Sequence, residues 1–152
     1  MQMVNQSLEK EKTILHEKPR IYLVSACLLG LQTRYDGRLK PCEACRLKVK
    51  NALWIPVCPE QLGGLPTPRP AADIAGGDGY DVLAGRAAVV TRDGQDVTSR
   101  FLLGARQVLA IAMEQQVTAV LLKSRSPSCG MTPGFGVTAA LLEQNGFVLQ
   151  EF

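Results

Sequence analysis

The chain has 152 residues, of which 46% are apolar, enough for one domain with a sizeable core. A formal net charge of +3 suits attraction of a small anion and falls short of the basic stripe that marks a nucleic-acid binder. No apolar run is long enough to span a bilayer and the first twenty residues hold no export-signal core, so the cytoplasm is the expected location.

Residues 1–20 mix Glu, Lys and Gln with few apolar side chains and read as a solvated leader, which leaves the folded domain over 21–152. Residues 21–27 (IYLVSAC) read as a first buried strand ending in Cys27. Tyr35-Asp36-Gly37 is a turn signal, and Pro41 suits the first turn of a helix whose apolar contacts come from Leu47, Val49 and Leu53. Residues 54–58 (WIPVC) predict a second strand that again ends in a cysteine, Cys58, with Pro59 and Glu60 directly after it. Three prolines and two glycines within residues 61–70 predict a shaped loop around Thr67 and Arg69. Residues 75–79 mark a further turn, after which Val82-Leu83, residues 87–90 and the turn Arg92-Asp93-Gly94 predict a small antiparallel excursion.

Thr98 is the expected N-cap of a long helix over 99–115. Phe101, Leu102, Ala105, Val108, Leu109, Ala112 and Met113 share one face of it, which predicts core packing. Residues 118–123 predict a third buried strand that runs into SRSPSCGMTPGFG, where prolines and glycines break strand and helix alike. A short helix over 137–144 stops at Asn145-Gly146, and residues 147–150 make a last strand. Strands alternating with helices through short turns predict an α/β fold with a mostly parallel sheet.

In such a sheet the carboxyl ends of the strands share one edge, which is where open α/β sheets bind their ligands. Cys27, Cys58 and Cys129 each close or follow a predicted strand at that edge. Neighbouring strands lie about 4.8 Å apart, so two or three such thiols can meet around one centre. Any one of them alone reads equally well as a buried small residue, but three in the same position make that reading weaker. In a reducing compartment an odd set of five cysteines points to ligands or nucleophiles rather than disulfides. The lone histidine, His16, lies in the leader, so the soft thiolates narrow the choice to zinc or an iron-sulfur cluster. A 4Fe-4S cluster held by three cysteines leaves one iron open as a Lewis acid. Glu60, two residues after Cys58, is a candidate general acid/base or else a helix-terminal carboxylate. Ser126 either orients a substrate or bonds to loop backbone. Cys42 and Cys45 form a C-x-x-C with no second pair to complete a zinc site, and read as incidental, with an auxiliary redox or ligand role as the minority reading.

Several motifs, in one order along the chain, resemble a known family. They are Val24-Ser25-Ala26-Cys27-Leu28-Leu29-Gly30 with Arg34-Tyr35-Asp36-Gly37, then Val57-Cys58-Pro59-Glu60 running on to Arg69, then Asp96-Val97-Thr98, then Lys123 with Ser126-Pro127-Ser128-Cys129-Gly130. Together they resemble the thiouracil desulfurases, iron-sulfur-dependent desulfidases formerly carried as a domain of unknown function, from residue 21 to the C-terminus. The resemblance implies a Rossmann-like α/β fold and a 4Fe-4S cluster held by Cys27, Cys58 and Cys129. It implies acid/base work by Glu60 and assistance by Ser126, and it places Ser25, Tyr35, Arg69 and Ser128 among the substrate-binding residues. The implied reaction is non-redox removal of sulfur from a thiolated pyrimidine, thiouracil or a thiouridine nucleotide. Its sulfur binds the open iron while water activated by Glu60 attacks the ring carbon. Some relatives carry a further domain and act on thiolated RNA, and the end of this chain at Phe152 favours a free base or nucleotide. Two rival readings of the residues stand beside this one: a zinc-stabilised binding module, and a thiol redox protein using Cys42 and Cys45.

Overall fold

The strand Ile21–Ser25 (β1) buries four of its five side chains, as a strand covered on both faces must. It pairs in parallel with Leu53–Val57 (β2) on one side and with Ala119–Leu122 (β5) on the other. A final strand, Leu149–Glu151 (β6), pairs in parallel with β5, giving the order β2-β1-β5-β6. The computed structural model describes residues 18–152. The expected leader thus falls outside the described residues except for Lys18, Pro19 and Arg20, which are exposed.

The period of two along β1 and β5 sorts their side chains between two cores. Leu23, Val120 and Leu122 face Val108 and Ala112 of the long helix Thr98–Glu114 (α4) and Ala139 and Leu142 of Val137–Gln144 (α5). On the opposite face Tyr22, Val24 and Leu121 meet Leu28, Cys45 and Val49, the last two from Glu43–Val49 (α1). Each fully buried Leu or Val here stabilises the fold by about 1.5–3 kcal/mol. Between β2 and the small sheet lies the one-turn helix Pro59–Leu62 (α2). Its Pro59 carbonyl sits against Gly104 of α4, where a Cβ would overlap it. This close approach sets the position of the residues on either side of Pro59. The small sheet pairs Ala72–Ala75 (β3) antiparallel with Ala88–Thr91 (β4) around the helix Gly79–Leu83 (α3). Asp78 and Asp81 close a capping box at the start of α3.

The mostly parallel α/β sheet is the one expected, with local departures. β1 stops at Ser25 and Cys27 follows in a 3-10 turn, Ala26–Leu29; β2 stops at Val57, leaving Cys58 as the residue before α2. β2 is an edge strand, paired on one side only among the described residues, and its Leu53 and Trp54 are exposed. α1 begins at Glu43, two residues after Pro41, and Leu47 points to solvent. The loop expected over 61–70 begins only after Leu62, since Gln61 and Leu62 finish α2. Strand β4 pairs with β3, while Val82 and Leu83 belong to α3, where the capping box favours a helix over a strand. Thr98 opens α4 without capping it: its hydroxyl accepts from the Val89 N–H at 2.9 Å, and the Asp96 carboxylate accepts from the Thr98 N–H at 2.9 Å. Met113, the penultimate residue of α4, is exposed rather than packed. The last strand lies one to two residues later than expected, at Leu149–Glu151. Among the described residues no helix is long and apolar enough to cross a membrane.

Candidate active site

Because β2, β1 and β5 run parallel, their carboxyl ends open together into one cavity of about 350 Å³. Cys27, Cys58, Cys129, Glu60, Ser126 and Ser128 all line it. Ser25, Tyr35 and Arg69 line it too, so every residue expected at the site from the sequence is brought to the same place. Ser25 ties two strand ends together, its hydroxyl accepting from the Lys123 N–H at 3.0 Å.

The loop after β5 is built around Ser126. Its hydroxyl accepts from the N–H groups of Ser128 at 3.3 Å and Cys129 at 3.1 Å, which folds the chain back and directs Cys129 inward. Gly130 closes the same turn, its N–H bonded to the Ser126 carbonyl at 2.8 Å; a Cβ there would lie 2.8 Å from the Ser126 backbone. Arg125 pays for this path with a positive φ of 56°, uncommon for a residue with a side chain. The start of α5 anchors the loop from behind, Thr138 and Ala139 donating to the Ser128 carbonyl at 2.9 and 3.1 Å.

Glu60 is held at both carboxylate oxygens. Arg69 Nε donates to Oε1 at 3.0 Å and the Ser128 hydroxyl donates to Oε2 at 3.0 Å. Ser128 and Ser126 hydroxyls lie 3.0 Å apart. With the Ser128 proton directed at the carboxylate, Ser126 is the donor in that pair, so a directed chain runs from Ser126 through Ser128 to Glu60. The sequence marks Ser128 as a substrate-binding residue and says nothing of a bond to Glu60. Its bond to Glu60, 68 residues away, follows from β5 lying beside β1 and β1 beside β2.

Burial pushes all three cavity thiols upward. Cys27 is raised first by burial and then by Cys58 nearby; Cys58 is raised by burial, with Arg69 among the groups opposing it. Cys129, fully enclosed, is pushed up to about 12, with Ser25 opposing through a hydrogen bond and Cys27 and Cys58 adding to the rise. Three thiols that sense one another in a low-dielectric cavity ionise together only if a cation compensates them, which is what binding a metal centre supplies. A tetrahedral zinc site needs its sulfurs about 4 Å apart, given Zn–S bonds of about 2.3 Å. Among the described residues no three His, Cys, Asp or Glu side chains gather closely enough to hold a single ion. Three soft thiolates lining one cavity of about 350 Å³ fit an iron-sulfur cluster.

The C-x-x-C pair lies elsewhere. Cys42 precedes α1 and is tied to the Cys27 turn through its N–H to the Leu28 carbonyl at 2.8 Å, while Cys45 is part of the core under that turn. Burial, then Cys42 and Cys27, push Cys45 up to about 11. Neither lines the cavity. Sequence reasoning gave no site role to the cations at the cavity wall, Arg34 and Lys123, which it named only within motifs, and Arg92 and Arg125, nor to the Thr33 carbonyl that accepts from Arg69 at 2.9 Å. Lys123 follows a strand end directly and could have been found on that ground; a backbone carbonyl leaves no mark in residue type.

Fold and site together define an α/β protein with three thiols and a clamped carboxylate at the carboxyl edge of a parallel sheet. Residues 22–151 match the family described as 2-thiouracil desulfurase, and the chain belongs to that family. It is similar to the uncharacterized protein YbbK of Bacillus subtilis (strain 168), 45% identical over 137 residues, which cover 82% of this chain and 91% of that one. Among solved structures it is similar to the 4Fe-4S-dependent thiouracil desulfidase TudS. The TM-score is 0.67 at 37% identity, covering 88% of this chain and 91% of the other.

Proposed function

We propose that this chain removes sulfur from a thiolated pyrimidine without net redox change, using a 4Fe-4S cluster held by Cys27, Cys58 and Cys129. The observation that carries the reading is the sharing of one cavity by three thiols and a carboxylate fixed at both oxygens. Family membership and the likeness to a 4Fe-4S-dependent thiouracil desulfidase support it. When bound, the cluster would supply an open iron, a soft Lewis acid for the substrate's sulfur.

The protein's own groups do the rest. Glu60, pointing into the cavity between Arg69 and Ser128, accepts a proton from the water that attacks the thiocarbonyl carbon. Glu60 gives that proton up again as the sulfur departs as hydrogen sulfide, while the Ser126–Ser128 chain donates to its carboxylate and holds it in place. The balance is a thiocarbonyl plus water giving a carbonyl plus hydrogen sulfide, with no electron gained or lost. Tyr35 stands at the open rim, 41% exposed, as a face for the pyrimidine ring. The cavity volume of about 350 Å³ falls in the range of small-ligand sites, roughly 300–1,000 Å³. Lys123, Arg125 and Arg92 at its wall favour a substrate bearing phosphate, a thiolated nucleotide, over a neutral base.

Anaerobic reconstitution with iron and sulfide tests this directly. The expected protein is brown, holds about four irons per chain, and converts 2-thiouracil or a thiouridine monophosphate to the oxo compound with one sulfide released per turnover. A colourless protein, or a brown one inert on the whole panel of thiolated bases and nucleotides, would refute the proposal.

A further inference from the structure

Arg69 was expected to touch substrate, and its surroundings point elsewhere. The side chain is only 4% exposed. A guanidinium has five N–H donors and no acceptor. Here Nε donates to Glu60 Oε1 at 3.0 Å. Nη1 donates to the Pro66 carbonyl at 3.2 Å and to the Thr67 hydroxyl at 2.9 Å. Nη2 donates to the Thr33 carbonyl at 2.9 Å and to Cys58 Sγ at 3.8 Å. All five donors are engaged within the protein, so none is left for a ligand. The loop around it is folded to provide this cage: the Arg69 N–H itself bonds to the Tyr35 carbonyl at 2.8 Å, and Gln61 Nε2 donates to Thr67 at 2.8 Å.

We infer that Arg69 is a positioning residue, a buried cation shared between the acid/base carboxylate and the sulfur of Cys58, and that it makes no contact with substrate. This rests on the proposed function for the roles of Glu60 and Cys58. One planar group holds both at fixed angles, which a lysine could not do because its ammonium is a point charge on a flexible stem. Its charge also offsets the negative charge of a sulfur-ligated cluster. Net charge and hydrogen bonds to the sulfurs are what set the reduction potential of such clusters.

The test compares wild type, Arg69→Gln and Arg69→Lys, each reconstituted anaerobically, by cluster reduction potential and by steady-state kinetics on one thiolated pyrimidine. In R69Q the potential is expected to move to a more negative value, because the reduced cluster loses a neighbouring cation. Turnover, kcat, is expected to fall at least tenfold with KM changed less than twofold. In R69K the potential is expected to return toward wild type while kcat stays low, since charge is restored without the five-bond geometry. A raised KM with kcat and potential intact in R69Q would make Arg69 a substrate ligand and overturn the inference. So would failure of both variants to fold, read from near-ultraviolet circular dichroism of the apoprotein, which would assign Arg69 a merely structural role. Failure of the parent proposal looks different: the wild-type protein itself then takes up no cluster or turns over no thiolated pyrimidine.

Discussion

Glu60 has two carboxylate oxygens and both are occupied, one by a permanent cation and one by a hydroxyl. That arrangement keeps the carboxylate aimed, since both of its partners donate to it and fix the plane of the group. Replacing Glu60 by Gln keeps size and removes the base. Turnover is expected to fall by about 10²–10⁴-fold, the usual contribution of a general acid/base, while iron content and the cluster spectrum stay unchanged. Measuring iron, visible absorbance and single-turnover loss of the thiocarbonyl band on one preparation checks this. A near-native rate with a full cluster would reduce Glu60 to a carboxylate at the start of α2.

At the scale of elements, the site depends on how closely α2 lies against α4. Gly104 is the reason they can touch, because its missing Cβ leaves room for the Pro59 carbonyl. A Gly to Ala change inside a helix ordinarily stabilises by about 1 kcal/mol. Here Gly104→Ala is expected to destabilise by about 1–3 kcal/mol, the cost of overpacking, so the sign itself is diagnostic. The strain falls on Pro59, between Cys58 and Glu60, and both should shift. Denaturant midpoints of the apoprotein and turnover of the reconstituted protein should therefore fall together. A more stable, fully active G104A would show that α2 is not held by this contact.

Across the whole molecule, the chemistry and the remaining cysteines lie in different places. Cys27, Cys58 and Cys129 open into the cavity, whereas Cys45 is enclosed with Tyr22, Val24 and Leu121 beneath the Cys27 turn. Replacing Cys42 and Cys45 together by Ala is expected to leave iron content and turnover within about twofold of wild type. The cost should be on the order of 1 kcal/mol of stability from lost core packing. Abolished turnover with the cluster still bound would bring back the thiol redox reading. Loss of iron would make the pair part of the metal site.

The sequence by itself determined the alternation of strands and helices, the loop after the third strand, and the presence of a cysteine at three strand ends, because periodicity and turn chemistry are local properties. Motif order extended this to the family and to Glu60 and Ser126. Tertiary structure alone decided the rest. Nothing near residue 88 says that β4 pairs with β3 rather than with the segment that becomes α3, and nothing in Leu53-Trp54 says that their strand lies at an edge. Arg69 shows where the local reading runs out. From its motif it reads as a ligand for substrate, but whether a guanidinium faces a cavity or turns into the protein depends on which acceptors the fold gathers round it. Those acceptors are Glu60, the carbonyls of Thr33 and Pro66, the Thr67 hydroxyl and Cys58, drawn from separate stretches of chain. Burying a charge is costly unless its donors are satisfied, so the direction of the side chain is set by that completed cage, and the cage exists only once the sheet has brought its parts together.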